Sequence, residues 1–143
     1  MIDRRLAVGL AFLLALACGG AQGGADDATA AKAKGQTPRG AKVFNRDCAL
    51  CHGESGQGQS GSPPVMGQGA LPLKGVGGDA GPFRTAKDVF DYVKKTMPKP
   101  AEKAGSLSDA DYWAVVEYML IGAGRDVPAG LSDANAADVV INK

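Results

Sequence analysis

Large apolar side chains recur at helical spacing in three stretches of the chain. In the first, Gly40, Phe44 and Cys48 stand four apart and share one face, behind a start signal at Thr37-Pro38 with proline at the first helical position. The second runs from Ala86 to about Thr96, where Val89, Phe90 and Val93 form a stripe; Thr85 caps its start and Pro98 stops it. The third runs from Asp109 to about Gly122, with Ser108 as N-cap and Asp109 and Asp111 in the favoured acidic first turn. There Tyr112, Val115, Tyr118 and Met119 fall on one side, while Trp113, Val116 and Leu120 widen the apolar arc. The aromatics of this segment read as ordinary core. One further short helical turn is expected near Ser132 to Val139. No segment alternates with period two, so the pattern predicts an all-α domain with three main helices.

A different pattern precedes them. Arg4 and Arg5 are followed by a twelve-residue uncharged stretch, Leu6 to Ala17, the layout of a secretory signal. Such a stretch rises about 18 Å as a helix, too short for a hydrocarbon core of about 30 Å. It ends Leu14-Ala15-Leu16-Ala17-Cys18, which resembles a bacterial lipoprotein box with Cys18 as the acylated residue. The alternative is a soluble secreted protein cut near Ala17 or Ala21. From Gly19 to Thr37 no large apolar side chain occurs, so this part reads as a flexible tether with a mean reach of roughly 20–25 Å. The expected organisation is a signal peptide (1–17), a tether (18–37), a domain (38–122) and a C-terminal extension of unassigned role (123–143), held on the extracytoplasmic side of a membrane.

Composition changes the picture in two ways. Of 143 residues 45% are hydrophobic but only 6% aromatic, so few large anchors are available and a large apolar cofactor is a natural filler for the interior. Sixteen Lys and Arg against fifteen Asp and Glu leave no field that recruits nucleic acid.

The candidate chemistry is concentrated in Cys48-Ala49-Leu50-Cys51-His52, which holds two of the three cysteines and the only histidine. Cys-x-x-Cys-His is the attachment signature of a c-type haem. Two thiols one turn apart add to the two vinyl groups of a porphyrin, and the next residue presents an imidazole to the iron. A thioredoxin-like dithiol needs a preceding strand, and none is expected; a structural zinc site needs four ligands, and no second pair exists. An iron-bound imidazole donates its other N–H to a fixed acceptor. Ser62-Pro63-Pro64-Val65 follows a glycine-rich run and offers a proline carbonyl for that purpose.

A thioether would fill the iron's other axial position. Met119 lies within the third helical stretch and reads as core, and Met66 follows His52 too closely. Met97 precedes Pro98, which disfavours helical geometry there and places Met97 on an extended loop beyond the second helix. His52 and Met97 are therefore the expected axial ligands.

The pattern resembles the monohaem class I cytochrome c family, on Gly40, Phe44, Cys48, Cys51, His52, Pro63, Met97-Pro98 and Tyr118. The resemblance covers Pro38 to about Gly122. It implies a small class I cytochrome c fold, three main helices around one covalently bound haem c, with thioethers at Cys48 and Cys51 and iron held by His52 and Met97. It also implies that the Pro63 carbonyl holds His52, and that Gly40 lets the first and last helices cross beside Phe44 and Tyr118.

An iron closed on both sides exchanges electrons and takes no substrate, so the expectation is a membrane-tethered one-electron carrier and not an enzyme. Two alternatives stand beside it: a haem module of a dehydrogenase or oxidase complex, and a haem sensor or enzyme with an open sixth site. From Arg84 to Lys103 six residues are basic (Arg84, Lys87, Lys94, Lys95, Lys99, Lys103) and three acidic, whereas from Leu107 onward two are basic and six acidic. Redox partners with acidic docking patches are therefore expected, and a monomer unless the chain is bound to an enzyme complex.

Overall fold

Proline at the first helical position and a glycine at the third open the first helix of the computed structural model, which describes residues 38–59, 61–76 and 80–143. The leader, Cys18, the tether and the Thr37 cap lie outside the described residues. The helices are α1 (Pro38–Asp47), α2 (Ala49–His52), α3 (Ala86–Thr96) and α4 (Asp109–Gly122), with a 3₁₀ turn at Ala101–Lys103. Among the described residues no strand forms; pairing is limited to isolated bridges, Gln59 with Ser62 and Thr85 with Val140.

α1 crosses α4 at Gly40. A methyl group there would collide with the Ala114 carbonyl oxygen and come within 2.8 Å of the Tyr118 Cβ, so only glycine permits this approach. Beside the crossing Phe44 meets Tyr118 with ring centroids 5.7 Å apart. α3 begins with a reciprocal cap, in which the Thr85 hydroxyl accepts from the Asp88 N–H at 3.3 Å and Asp88 accepts from the Thr85 N–H at 2.7 Å. It packs on α4 through Phe90, stacked on Trp113 at 3.6 Å and edge-on to Tyr112 at 6.2 Å.

α4 is buried on nearly every side, because the segment after Gly122 covers the face that would otherwise meet water. Val127, Leu131, Ala136 and Ile141 of that segment join the core. Glu117, 2% exposed, accepts from the N–H groups of Gly130 and Leu131 at 3.0 and 3.1 Å, which fixes the return of the chain. The first N–H groups of α3, which no helix can satisfy internally, are taken by the same segment: Ala86 donates to Val139 and Lys87 to Ala136. The short helix expected near Ser132 to Val139 is instead a run of turns. Asn135 closes them with its side chain, accepting from Ser132 N–H at 2.9 Å and donating to the Gly130 carbonyl at 3.2 Å, a local competitor of helical bonding.

Candidate functional site

α1 ends at Asp47, Cys48 turns the backbone, and the single turn of α2 places the cysteines and His52 around one rim. Cys48, Cys51, His52, Pro63 and Met97 all line one cavity of about 670 Å³. Its walls are apolar, with Val65, Leu71, Phe83, Val89, Val93 and Met119, and its mouth carries Arg46, Lys99 and Lys103. Sequence reasoning singled out the first five side chains, and the fold brings all five together.

His52 is 8% exposed and its Nδ1 lies 2.8 Å from the Pro63 carbonyl oxygen. A carbonyl only accepts, so Nδ1 carries the proton and Nε2 keeps its lone pair. Of the two neighbouring prolines it is thus Pro63 whose carbonyl holds the ring. The glycine-rich loop explains how: Gly58 has φ +81°, its N–H donates to the His52 carbonyl at 2.7 Å, and a side chain there would strike Pro64 and Ser62. Glycine lets the loop fold closely over the proline step.

Met97 is extended (φ −127°, ψ 157°), as the following proline requires. Its N–H donates to Val93, and its carbonyl accepts from the Gly105 N–H at 3.2 Å and the Tyr112 hydroxyl at 2.8 Å. Tyr112, fully buried, therefore does more than fill the core; a buried phenol needs a partner, and this one is the loop that carries Met97. Met66 sits against Gly56 and Gly122, away from the cavity lining, whereas Met119 reaches the lining from α4.

The cysteines are not paired with each other. Burial pushes the Cys48 thiol up to about 12, with the Asp47 carboxylate adding to the effect. That direction is opposite to the lowered pKa of a redox-exchange thiol. Among the described residues no group of three or more His, Cys, Asp or Glu is placed to hold a metal ion. Two sulfurs at one rim, an imidazole with a free Nε2, a thioether and otherwise greasy walls suit a flat macrocycle carrying iron. Haem c fits.

Residues 35–119 match the family model described as cytochrome C oxidase, cbb3-type, subunit III. The chain belongs to this cytochrome family. Among curated proteins it resembles the thiosulfate dehydrogenase of Stutzerimonas stutzeri (strain A1501), with 35% identity over 86 residues, or 57% of this chain and 25% of the relative. The chain thus spans about a quarter of that relative's length. Among solved structures it resembles the sulfane dehydrogenase SoxCD from Paracoccus pantotrophus, with TM-score 0.55 and 24% identity over 96% of this chain and 68% of the other, a likeness of fold. This cytochrome has the class I c-type fold and covalently bound haem c with iron, and it is an electron-transfer haem module. No described helix of the cytochrome is long and apolar enough to cross a membrane.

Of the six basic residues between Arg84 and Lys103, Lys94 is paired with Asp109 at 2.6 Å and Lys87 with Asp91 at 2.5 Å. Lys99 and Lys103 stand exposed at the cavity mouth, and among the described residues neither makes an ion pair. Leu50, between the two cysteines, is 87% exposed beside them.

Proposed function

We propose that the chain is a one-electron carrier of the extracytoplasmic space, tethered to a membrane through Cys18, with His52 and Met97 as the axial ligands of its haem. The observation that carries this reading is the pairing of donors in one cavity: His52 with Nε2 left free by its bond to Pro63, and Met97 on a loop pinned by Tyr112. Bound haem supplies the one-electron couple between ferrous and ferric iron. Pro63 holds the imidazole in one tautomer, and Tyr112 and Gly105 hold the thioether loop. The apolar walls exclude water, and the fixed geometry keeps reorganisation small. Lys99 and Lys103 at the mouth steer redox partners that present carboxylates.

The test is the weak far-red band of methionine-ligated ferric haem. The wild-type protein shows it, Met97→Ala removes it, and Met119→Leu retains it. A band lost with Met119 and kept without Met97 overturns the ligand assignment; a band absent from the wild type favours an open sixth site.

A second reading is a haem subunit held by a dehydrogenase. The resemblance to a protein named thiosulfate dehydrogenase, over only a quarter of that protein's length, supports it. Gel filtration of the detergent-extracted protein separates the two readings: a carrier elutes alone, a subunit with its enzyme.

A further inference from the structure

The segment after Gly122 does not line the haem cavity but bonds to two residues that do. The Asn142 side-chain amide donates to the Leu71 carbonyl at 2.9 Å and to the Phe83 carbonyl at 2.6 Å. Leu71 and Phe83 both line the cavity, and both belong to the stretch between α2 and α3, whose described residues form no helix. A single NH₂ group has two hydrogens to donate, and here each is committed to a different piece of the wall.

Leu71 itself is unusual. Its φ is +52°, the only non-glycine residue with positive φ among those described, and it is 3% exposed. A leucine stays in the left-handed region only when its surroundings over-determine it. The constraints flank it: Arg125 Nη2 donates to the Ala70 carbonyl at 3.2 Å, and Asn142 to Leu71's own. Phe83 is tied in turn, its N–H donating to Leu73 and its ring meeting Tyr92 edge-on at 5.4 Å. Backbone bonds from Ile141 and Asn142 to the Arg84 carbonyl hold the clamp in place.

We propose that Asn142 is a positioning residue for electron transfer: by clamping Leu71 and Phe83 together it keeps this wall shut against the haem and holds the haem dry. A dry pocket disfavours the additional positive charge of ferric iron, so loosening the wall stabilises the ferric state and lowers the midpoint potential. The inference rests on haem in the cavity and, for one readout, on Met97 as the ligand.

Asn142→Leu keeps a similar volume, removes both donors and adds no charge. Asn135→Ala loosens the same segment without touching the wall and serves as the control. The expected result is a lower midpoint potential for Asn142→Leu alone, with added imidazole displacing the Met97 thioether about tenfold faster, equivalent to ~1.4 kcal/mol. Equal melting losses in both variants, with potentials and displacement rates unchanged from wild type, overturn the proposal by reducing Asn142 to general support. Should Asn142→Leu not accumulate, nuclear magnetic resonance of the wild-type holoprotein decides. The Asn142 NH₂ protons are expected to exchange slowly and to shift between the ferric and ferrous states; rapid exchange with no shift overturns it. An absent far-red band in the wild type defeats the Met97 assignment but leaves the clamp to be judged by potential and proton exchange.

Discussion

The hydroxyl of Tyr112 donates to the carbonyl of Met97 across 2.8 Å, tying the loop that carries Met97 to the first turn of the core helix α4. Tyr112→Phe removes one bond while Gly105 still satisfies the carbonyl. The expected loss is about 1 kcal/mol in denaturant unfolding, together with faster displacement of the thioether by added imidazole. A variant matching wild type in both measurements removes Tyr112 from the site.

Gly40→Ala presses a methyl group against the Ala114 carbonyl and the Tyr118 Cβ. Backbone cannot give way cheaply at a helix crossing, so a destabilisation of about 2–3 kcal/mol is expected. Thermal melting of the holoprotein measures it, and the yield of haem-loaded protein should fall in parallel.

The Arg39–Asp111 pair at 2.7 Å gives a pH signature. The hydrogen bond from Arg39 holds the Asp111 carboxyl below its ordinary range, with the Ser108 hydroxyl helping. A lowered carboxylate pKa stabilises the fold above the unfolded value of about 3.9, and the benefit disappears as pH falls through the lowered folded value. The pair is largely solvent-screened, so Asp111→Asn should cost under ~1 kcal/mol at neutral pH. Urea titrations should show the gap between wild type and variant closing in strong acid and shrinking with added salt.

Charge reversal at the cavity mouth tests partner chemistry. For Lys99→Glu with Lys103→Glu, electron transfer to an acidic redox protein should slow at low salt, and added salt should speed the variant while slowing the wild type. Identical salt responses would remove the docking role of these lysines.

Helix ends and the haem motif were legible because their signals are local. Thr85 and Ser108 cap α3 and α4 as their positions predict, and Cys48, Cys51 and His52 meet within a single turn. The extended backbone at Met97 was legible through the proline that follows it. What lay hidden has no short-range periodicity. Asn142 finds its acceptors 71 and 59 positions away, and Glu117 bonds a turn that sequence alone leaves unplaced. Tyr112 looked like core and is core; only its hydroxyl carries the extra function, and an oxygen's direction is not written in hydrophobic spacing. An acidic residue amid apolar neighbours, as Glu117 is, was the one available hint that a second layer covers α4.

The carbonyls of Val139 and Ala136 answer the opening N–H groups of α3, so the helix leading into Met97 is finished by residues about fifty positions further along the chain. Deleting the residues from 136 onward would therefore leave α3 with bare N–H groups at its opening turn and slacken its grip on the thioether loop.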